Sequence, residues 1–343
     1  MRPIVSLFTP LLLSLSATLV AGPGAAQTTS SRLVLITLDG VRWQDVVGPR
    51  AASLPNLARF VTDGGLLLGG DDQQVRLQNQ STVSLPGYRE LFTGRVDPRC
   101  NSNRCEPLEV ETLFDHAALR DGARVAVIAS WEGLRHATST RAIPPFLRSA
   151  GRRDPESPAL ARRVPSVQSL ISEGDRVGPA PGHDHYRPDA FTAAIALEVL
   201  DQLEPDLLVV GFGDTDEWAH RRDRRRYRAA LAEADRFVGE VMATVDGQDG
   251  CPALNAATPC PSRRTTIVVT TDHGRSARFH DHGGATEAAR IWLALRGPRF
   301  SAVATVPGVV AATDLAPTLA VVLGLDLGAF SKAGASLRFA LSH

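Results

Sequence analysis

Three apolar, β-branched-rich runs each lead directly into metal-ligand side chains: Leu33-Val-Leu-Ile-Thr-Leu38, Asp206-Leu-Leu-Val-Val-Gly-Phe212 and Thr265-Thr-Ile-Val-Val-Thr-Thr271. Short apolar runs of this composition read as strands buried inside a sheet. Asp39 follows the first run, Asp216 and His220 lie just past the second, and Asp272 and His273 close the third. All these side chains then sit at strand carboxyl ends, the edge where open α/β sheets build their sites. One Asp-His pair would mean little. The same placement three times predicts a polynuclear metal centre gathered from distant parts of the chain.

The rest of the chain alternates in the same way. Residues 123–129 and 291–295 read as further core strands. Helices are expected over 188–203, with Pro188 in the first turn, over 223–245, where Tyr227, Leu231, Ala234, Val238 and Val241 recur at helical spacing, and over 314–323. Strand-helix alternation predicts an α/β fold, a three-layer α/β/α sandwich with a largely parallel central sheet. Residues 141–189, rich in Pro, Arg, Ser and Gly, carry weak periodicity and read as an irregular excursion or small cap beside the site. With no repeat and no linker, one domain from residue 30 to the end, 30–343, is the simplest division.

Residues 1–26 read as a secretory signal peptide: Arg2, an apolar stretch, then Gly24-Ala25-Ala26 before polar Gln27. An uncleaved anchor is the alternative, although Ser and Pro interrupt the stretch. No later segment is long and apolar enough to span a bilayer. The expected location is therefore periplasmic or secreted. Four cysteines fit that oxidising setting, with local pairs Cys100–Cys105 and Cys251–Cys260 favoured over zinc ligation, because neither pair has the two-residue spacing of a thiolate site. A formal net charge of zero gives no reason to expect nucleic-acid binding. Oligomeric state is not readable.

Asp216 and His220 are four apart, so on a helix they share a face. His280-Asp281-His282-Gly283 supplies a further imidazole, while His183 and His185 are rivals in the irregular stretch. Mixed oxygen and nitrogen ligation of this kind suits two divalent ions, zinc or manganese. Two metals about 4 Å apart clamp the attacking and leaving oxygens of an in-line displacement. The nucleophile candidate is Ser84: Pro86 reads as an early helical position and Gly94 as a stop, which puts Ser84 at a helix N-terminus. An ordinary Ser N-cap is the competing reading.

The ordered set Asp39, Ser84 in Ser-x-Pro-Gly-Tyr, Asp216-x-x-x-His220, Asp272-His273-Gly and His282-Gly resembles the alkaline phosphatase superfamily. That group includes phosphomonoesterases, nucleotide pyrophosphatase/phosphodiesterases, sulfatases and cofactor-independent phosphoglycerate mutases. The resemblance implies that Asp39, Ser84, Asp272 and His273 hold one metal and Asp216, His220 and His282 the other, with His282 preferred to His280 for its Gly-Gly turn. It also implies a phosphoseryl intermediate on Ser84 and a donor for the nonbridging oxygens. Asn103, in the Cys100–Cys105 loop, is the candidate, with Asn101 beside it.

Departures from the family patterns narrow the reading. A sulfatase needs Arg where this chain has Tyr88, Arg89 falling one place late, and the interval from 94 to 206 is short for the inserted domain of a mutase. Trp131, Glu132 and Arg135 follow another strand and could border the pocket, while Arg221 to Arg228 reads as a solvated helix face. The expected activity is hydrolysis of a small phosphate ester. Phosphodiesterase or nucleotide pyrophosphatase action stands as the alternative, then sulfatase or phosphonate hydrolase, and in another class a catalytically silent metal-binding protein.

Overall fold

The computed structural model describes residues 31–48, 51–251, 260, 263–276, 278–284, 286–300, 308–330 and 333–335. The expected signal segment 1–26 lies outside them. Among the described residues the strands are β1 (Arg32–Leu38), β2 (Leu66–Leu68), β3 (Val75–Arg76), β4 (Val125–Ala129), β5 (Leu147–Ala150), β6 (Leu207–Phe212), β7 (Thr265–Thr270), β8 (Arg290–Ile291), β9 (Leu293–Arg296) and β10 (Val310–Ala311). The main sheet runs β2-β9-β7-β1-β6-β4-β5. It is parallel from β7 through β5, and β9 is antiparallel to both β7 and β2.

β1, β6 and β7 are buried along their whole length because helices cover both faces. Leu33 and Leu35 of β1, with Leu207 and Val209 of β6, face one core, which the helices Ser84–Thr93, Leu113–Ala118 and Leu315–Leu323 complete. Val34, Ile36, Leu208 and Val210 face the other, against Pro55–Thr62, Val167–Val177, Asp189–Leu203 and Arg224–Gln248. The result is the expected three-layer α/β/α sandwich. Each fully buried Leu, Ile or Val contributes about 1.5–3 kcal/mol, which is why these strands carry no alternation of polar residues.

Two expectations need correcting. Residues 141–189 are regular: they supply β5 at the sheet edge and the helices Ser157–Arg163 and Val167–Val177. Leu160, Val164, Val167 and Ile171 enter the second core at helical spacing. The many arginines obscured this, since Arg187 is wholly buried and donates to Ala129 O, Ser149 O and Ser149 Oγ, joining β4 to β5. The strand expected over 291–295 is split. Trp292 turns its ring inward, Nε1 donating to Val41 O at 3.1 Å, so Ile291 ends β8 and Leu293 begins β9.

Both expected cysteine pairs are disulfides, Cys100–Cys105 and Cys251–Cys260. Among the described residues no helix is long and apolar enough to cross a membrane. β7, β1 and β6 are neighbours in the sheet, so Asp272, Asp39 and Asp216 leave it from three adjacent carboxyl ends.

Candidate metal centre

The three strand ends and one helix start converge on His273. Its Nε2 stands 3.5 Å from each of Ser84 Oγ, Asp39 Oδ1 and Asp272 Oδ2. A tetrahedral ion bound at 2.0–2.2 Å separates its ligands by about 3.3–3.6 Å. Asp39 Oδ1 and Asp272 Oδ2 are buried without a hydrogen-bond partner, a costly state for carboxylate oxygens that a cation would relieve. Across the same site, His220 Nε2 lies 2.9 Å from Asp216 Oδ2 and 3.0 Å from His282 Nε2. The residues present therefore fit divalent cation binding: the sets Asp39–Asp272–His273 and Asp216–His273–His282, which share His273, each bring one ligand atom per residue within 4.8 Å of the others, and His220 borders the second set through Asp216 and His282.

Backbone carbonyls orient two of the three imidazoles. His273 Nδ1 donates to Gly274 O at 2.9 Å and His282 Nδ1 to Thr82 O at 2.7 Å, which leaves both Nε2 lone pairs for a cation. The two rings stack at 4.0 Å. Burial, then His282, holds His273 well below the usual imidazole range, and burial also lowers His282. His220 is raised, chiefly by its hydrogen bond to Asp216.

The three carboxylates are buried close to one another. Burial, then Asp272, pushes Asp39 up, and burial, then Asp216, pushes Asp272 up to about 8. Burial acts on Asp216 in the same direction, but Arg275 and then His220 outweigh it and hold that carboxyl well below its ordinary value. Backbone and side-chain donors aim the acids: Gly40 N donates to Asp272 Oδ1 at 3.2 Å, Tyr88 OH to Asp39 Oδ2 at 3.3 Å, and Thr215 Oγ1 to Asp39 O at 2.6 Å.

Ser84 is the first residue of its helix, and extended Val83 takes the N-cap position without a side-chain bond. The Ser84 hydroxyl is therefore not used as a cap but faces His273. Gly94, at φ +68°, ends this helix in the left-handed region. Asn103 caps it instead, its Oδ1 accepting from Leu85 N at 2.9 Å, while Ser81 Oγ donates to Asn101 O at 2.8 Å. The disulfide loop is thus docked on the helix start.

Other candidates lie apart from this cluster. His183 and His185 are exposed and outside both ligand groups. His280 Nε2 is 3.4 Å from Arg222 Nη2 and 3.2 Å from Asp281 Oδ1. Trp131 stacks on Tyr88 with centroids 6.2 Å apart, and Arg135 Nε donates to its neighbour His136. Sequence reasoning missed Arg275 and Thr82, which touch ligands without resembling them; Arg275 stands two residues after His273, and that adjacency was the available signal.

Residues 183–287, which contain Asp216, His220, Asp272, His273 and His282, match the family model described as Metalloenzyme superfamily. The structure is similar to a putative sulfatase from Bacteroides thetaiotaomicron, at 14% identity and TM-score 0.58 over 90% of this chain and 74% of that one. It is also similar to the phosphonate monoester hydrolase of Agrobacterium radiobacter, at 17% and 0.55 over 90% and 77%. A third relative is murine ectonucleotide pyrophosphatase/phosphodiesterase 5, an inactive form with AMP, at 12% and 0.56 over 91% and 100%. At these identities the likeness is one of fold. The sequence matches no curated protein.

Proposed function

We propose that this chain is an alkaline phosphatase-like metalloenzyme, a reading supported by the match of residues 183–287 to the Metalloenzyme superfamily model and by the likeness of fold, and that it is an exported phosphate-ester hydrolase with Ser84 as its nucleophile. The observation that carries this reading is the 3.5 Å spacing of Ser84 Oγ, Asp39 Oδ1 and Asp272 Oδ2 around His273 Nε2. Asp39, Ser84, Asp272 and His273 would hold one divalent cation, and Asp216, His220 and His282 the other. Such ions, zinc or manganese, supply Lewis-acid polarisation and a lowered pKa for a bound hydroxyl.

Ser84 Oγ displaces the alcohol in line and becomes a phosphoseryl ester, whose hydrolysis restores the hydroxyl. Two in-line steps give net retention at phosphorus. Pro86 has no N–H and Leu85 N is occupied by Asn103, so the donors we assign beside Oγ are Ser84 N–H and the Asn103 amide. They would stabilise charge on the nonbridging oxygens.

Arg89 supports phosphate over sulfate chemistry. Its guanidinium is turned to His136 O, Glu106 O and Asp97, and Tyr88 fills the position beside Asp39. A diesterase is the second reading, favoured by the His220 side chain, which is 45% exposed and leaves one edge of the centre open to a second ester substituent. Turnover of p-nitrophenyl phosphate, its bis-ester and its sulfate separates these. The monoester should be fastest; a faster bis-ester makes the protein a diesterase, and a faster sulfate ester removes the phosphate assignment.

A further inference from the structure

The guanidinium of Arg275 is completely buried, yet it touches neither of the proposed cation positions' other acids. Nε donates to Gly40 O at 3.1 Å, Nη1 to Phe279 O at 3.0 Å, and Nη2 to Asp216 O at 3.1 Å and to Asp216 Oδ1. These acceptors belong to three separate segments: the turn after β1 that follows Asp39, the helix Asp214–His220, and the loop that leads to His282. A buried cation costs several kcal/mol unless fully satisfied, and here each nitrogen of the fork finds a carbonyl or carboxylate. The contact also fixes how Asp216 can bind. Oδ1 is held by Arg275 and Oδ2 faces His220, so one oxygen remains for a cation.

Gly40 is part of the same device. At φ +64° it occupies the left-handed region, and a Cβ there would stand 2.3 Å from Asp216 Oδ1 and 3.1 Å from Arg275 Nε. The Asp39-Gly40 pair thus presents a ligand with one residue and makes room for the clamp with the next.

We propose that Arg275 is a positioning residue which joins the three ligand-bearing segments before any metal arrives and restricts Asp216 to one-oxygen ligation. The proposal rests on the two-cation reading above. Its planar fork is what the geometry needs: a lysine ammonium is a single point donor and cannot reach Gly40 O, Phe279 O and Asp216 together.

The test compares the unaltered protein with Arg275→Lys and Arg275→Gln by calorimetric titration with Zn2+ and by the visible spectrum of the Co2+ form. The unaltered protein should take two ions per chain. Both variants should bind one of them at least about tenfold more weakly, with an altered Co2+ spectrum and no rescue by lysine. A melting temperature that falls while both affinities and the spectrum stay unchanged would reduce Arg275 to a packing role and overturn the proposal.

Should the variants not fold, hydrogen exchange on the metal-free unaltered protein decides. Protected amides at 39–42 and 214–220 are expected, and free exchange there until metal is added would overturn it. Failure of the unaltered protein to bind metal would instead remove the two-cation reading, so the two failures are distinct.

Discussion

A Cβ built on Gly87 would lie 2.2 Å from the carbonyl oxygen of Asp272. The helix that begins at Ser84 is therefore set directly on the end of β7, and this contact brings Ser84 Oγ to the ligand cluster. Gly87→Ala must push the two apart by roughly 1 Å, a displacement that costs about 100-fold in a positioned reaction. We expect kcat to fall by about that factor, with the phosphomonoesterase assay as the readout and circular dichroism showing a folded chain. Unchanged kcat would mean that the close approach is not what places Ser84.

His282 and His280 are separated by their surroundings. His282 is buried, stacked on His273 and oriented by Thr82, whereas His280 binds Arg222 at the surface. His282→Ala should lose one metal ion per chain by elemental analysis and most turnover, and His280→Ala should keep both ions and activity within a factor of about three. Reversed outcomes would exchange the two residues' roles.

Asn103 has two separable duties. Its oxygen caps Leu85 N, and in the proposed reaction its amide hydrogens would donate to substrate. Asn103→Asp keeps an acceptor for the cap but has no N–H, so it isolates the second duty. Both Asn103→Asp and Asn103→Ala should lower kcat by about 10–100-fold while metal content stays at the unaltered level. Activity retained by the Asp variant alone would leave Asn103 as a cap only.

Glu90 links the helix Ser84–Thr93 to the preceding loop, its two oxygens accepting from Gln78 N at 2.7 Å and Asn79 N at 3.0 Å. Burial raises this carboxyl to about 7 from 4.5, the two backbone donors offsetting part of the rise. Native Glu90 thus holds its proton through a pH range in which the unfolded chain has lost it. Its contribution to stability is complete below pH 4.5 and is lost as pH rises through about 7. The effect is on the order of 1–3 kcal/mol. Melting temperatures at fixed metal saturation should fall over this window and flatten in Glu90→Gln, although that variant is less stable throughout because its amide faces a backbone N–H. An unchanged slope in Glu90→Gln would locate the titration elsewhere.

The fold was legible wherever one physical signal dominated. β1, β6 and β7 are apolar on both faces because both are covered, and their ends announce the candidate ligands; Gly94 ends the helix Ser84–Thr93 where a left-handed residue is needed. Reasoning from composition failed where charged residues turn inward. Arg187 and Arg275 drew no reading from the sequence, and each is buried among carbonyl acceptors supplied by segments distant in sequence. No local pattern reveals such partners. In the same way, Asn103 could be placed in the loop of Cys100–Cys105, but its cap on Leu85 depends on how that loop docks.

On the proposed reading, Ser84 carries the ester chemistry at a centre that forms without it. Ser84→Ala, loaded with Zn2+ and assayed on p-nitrophenyl phosphate beside the unaltered protein, tests it most directly, with rapid acid quench and peptide mass spectrometry to find a phosphoryl group on Ser84. Two ions per chain in the variant, turnover lower by about 1,000-fold or more, and a phosphorylated Ser84 peptide from the unaltered protein alone are the results expected. A Ser84→Ala protein that keeps most of its turnover would contradict the account.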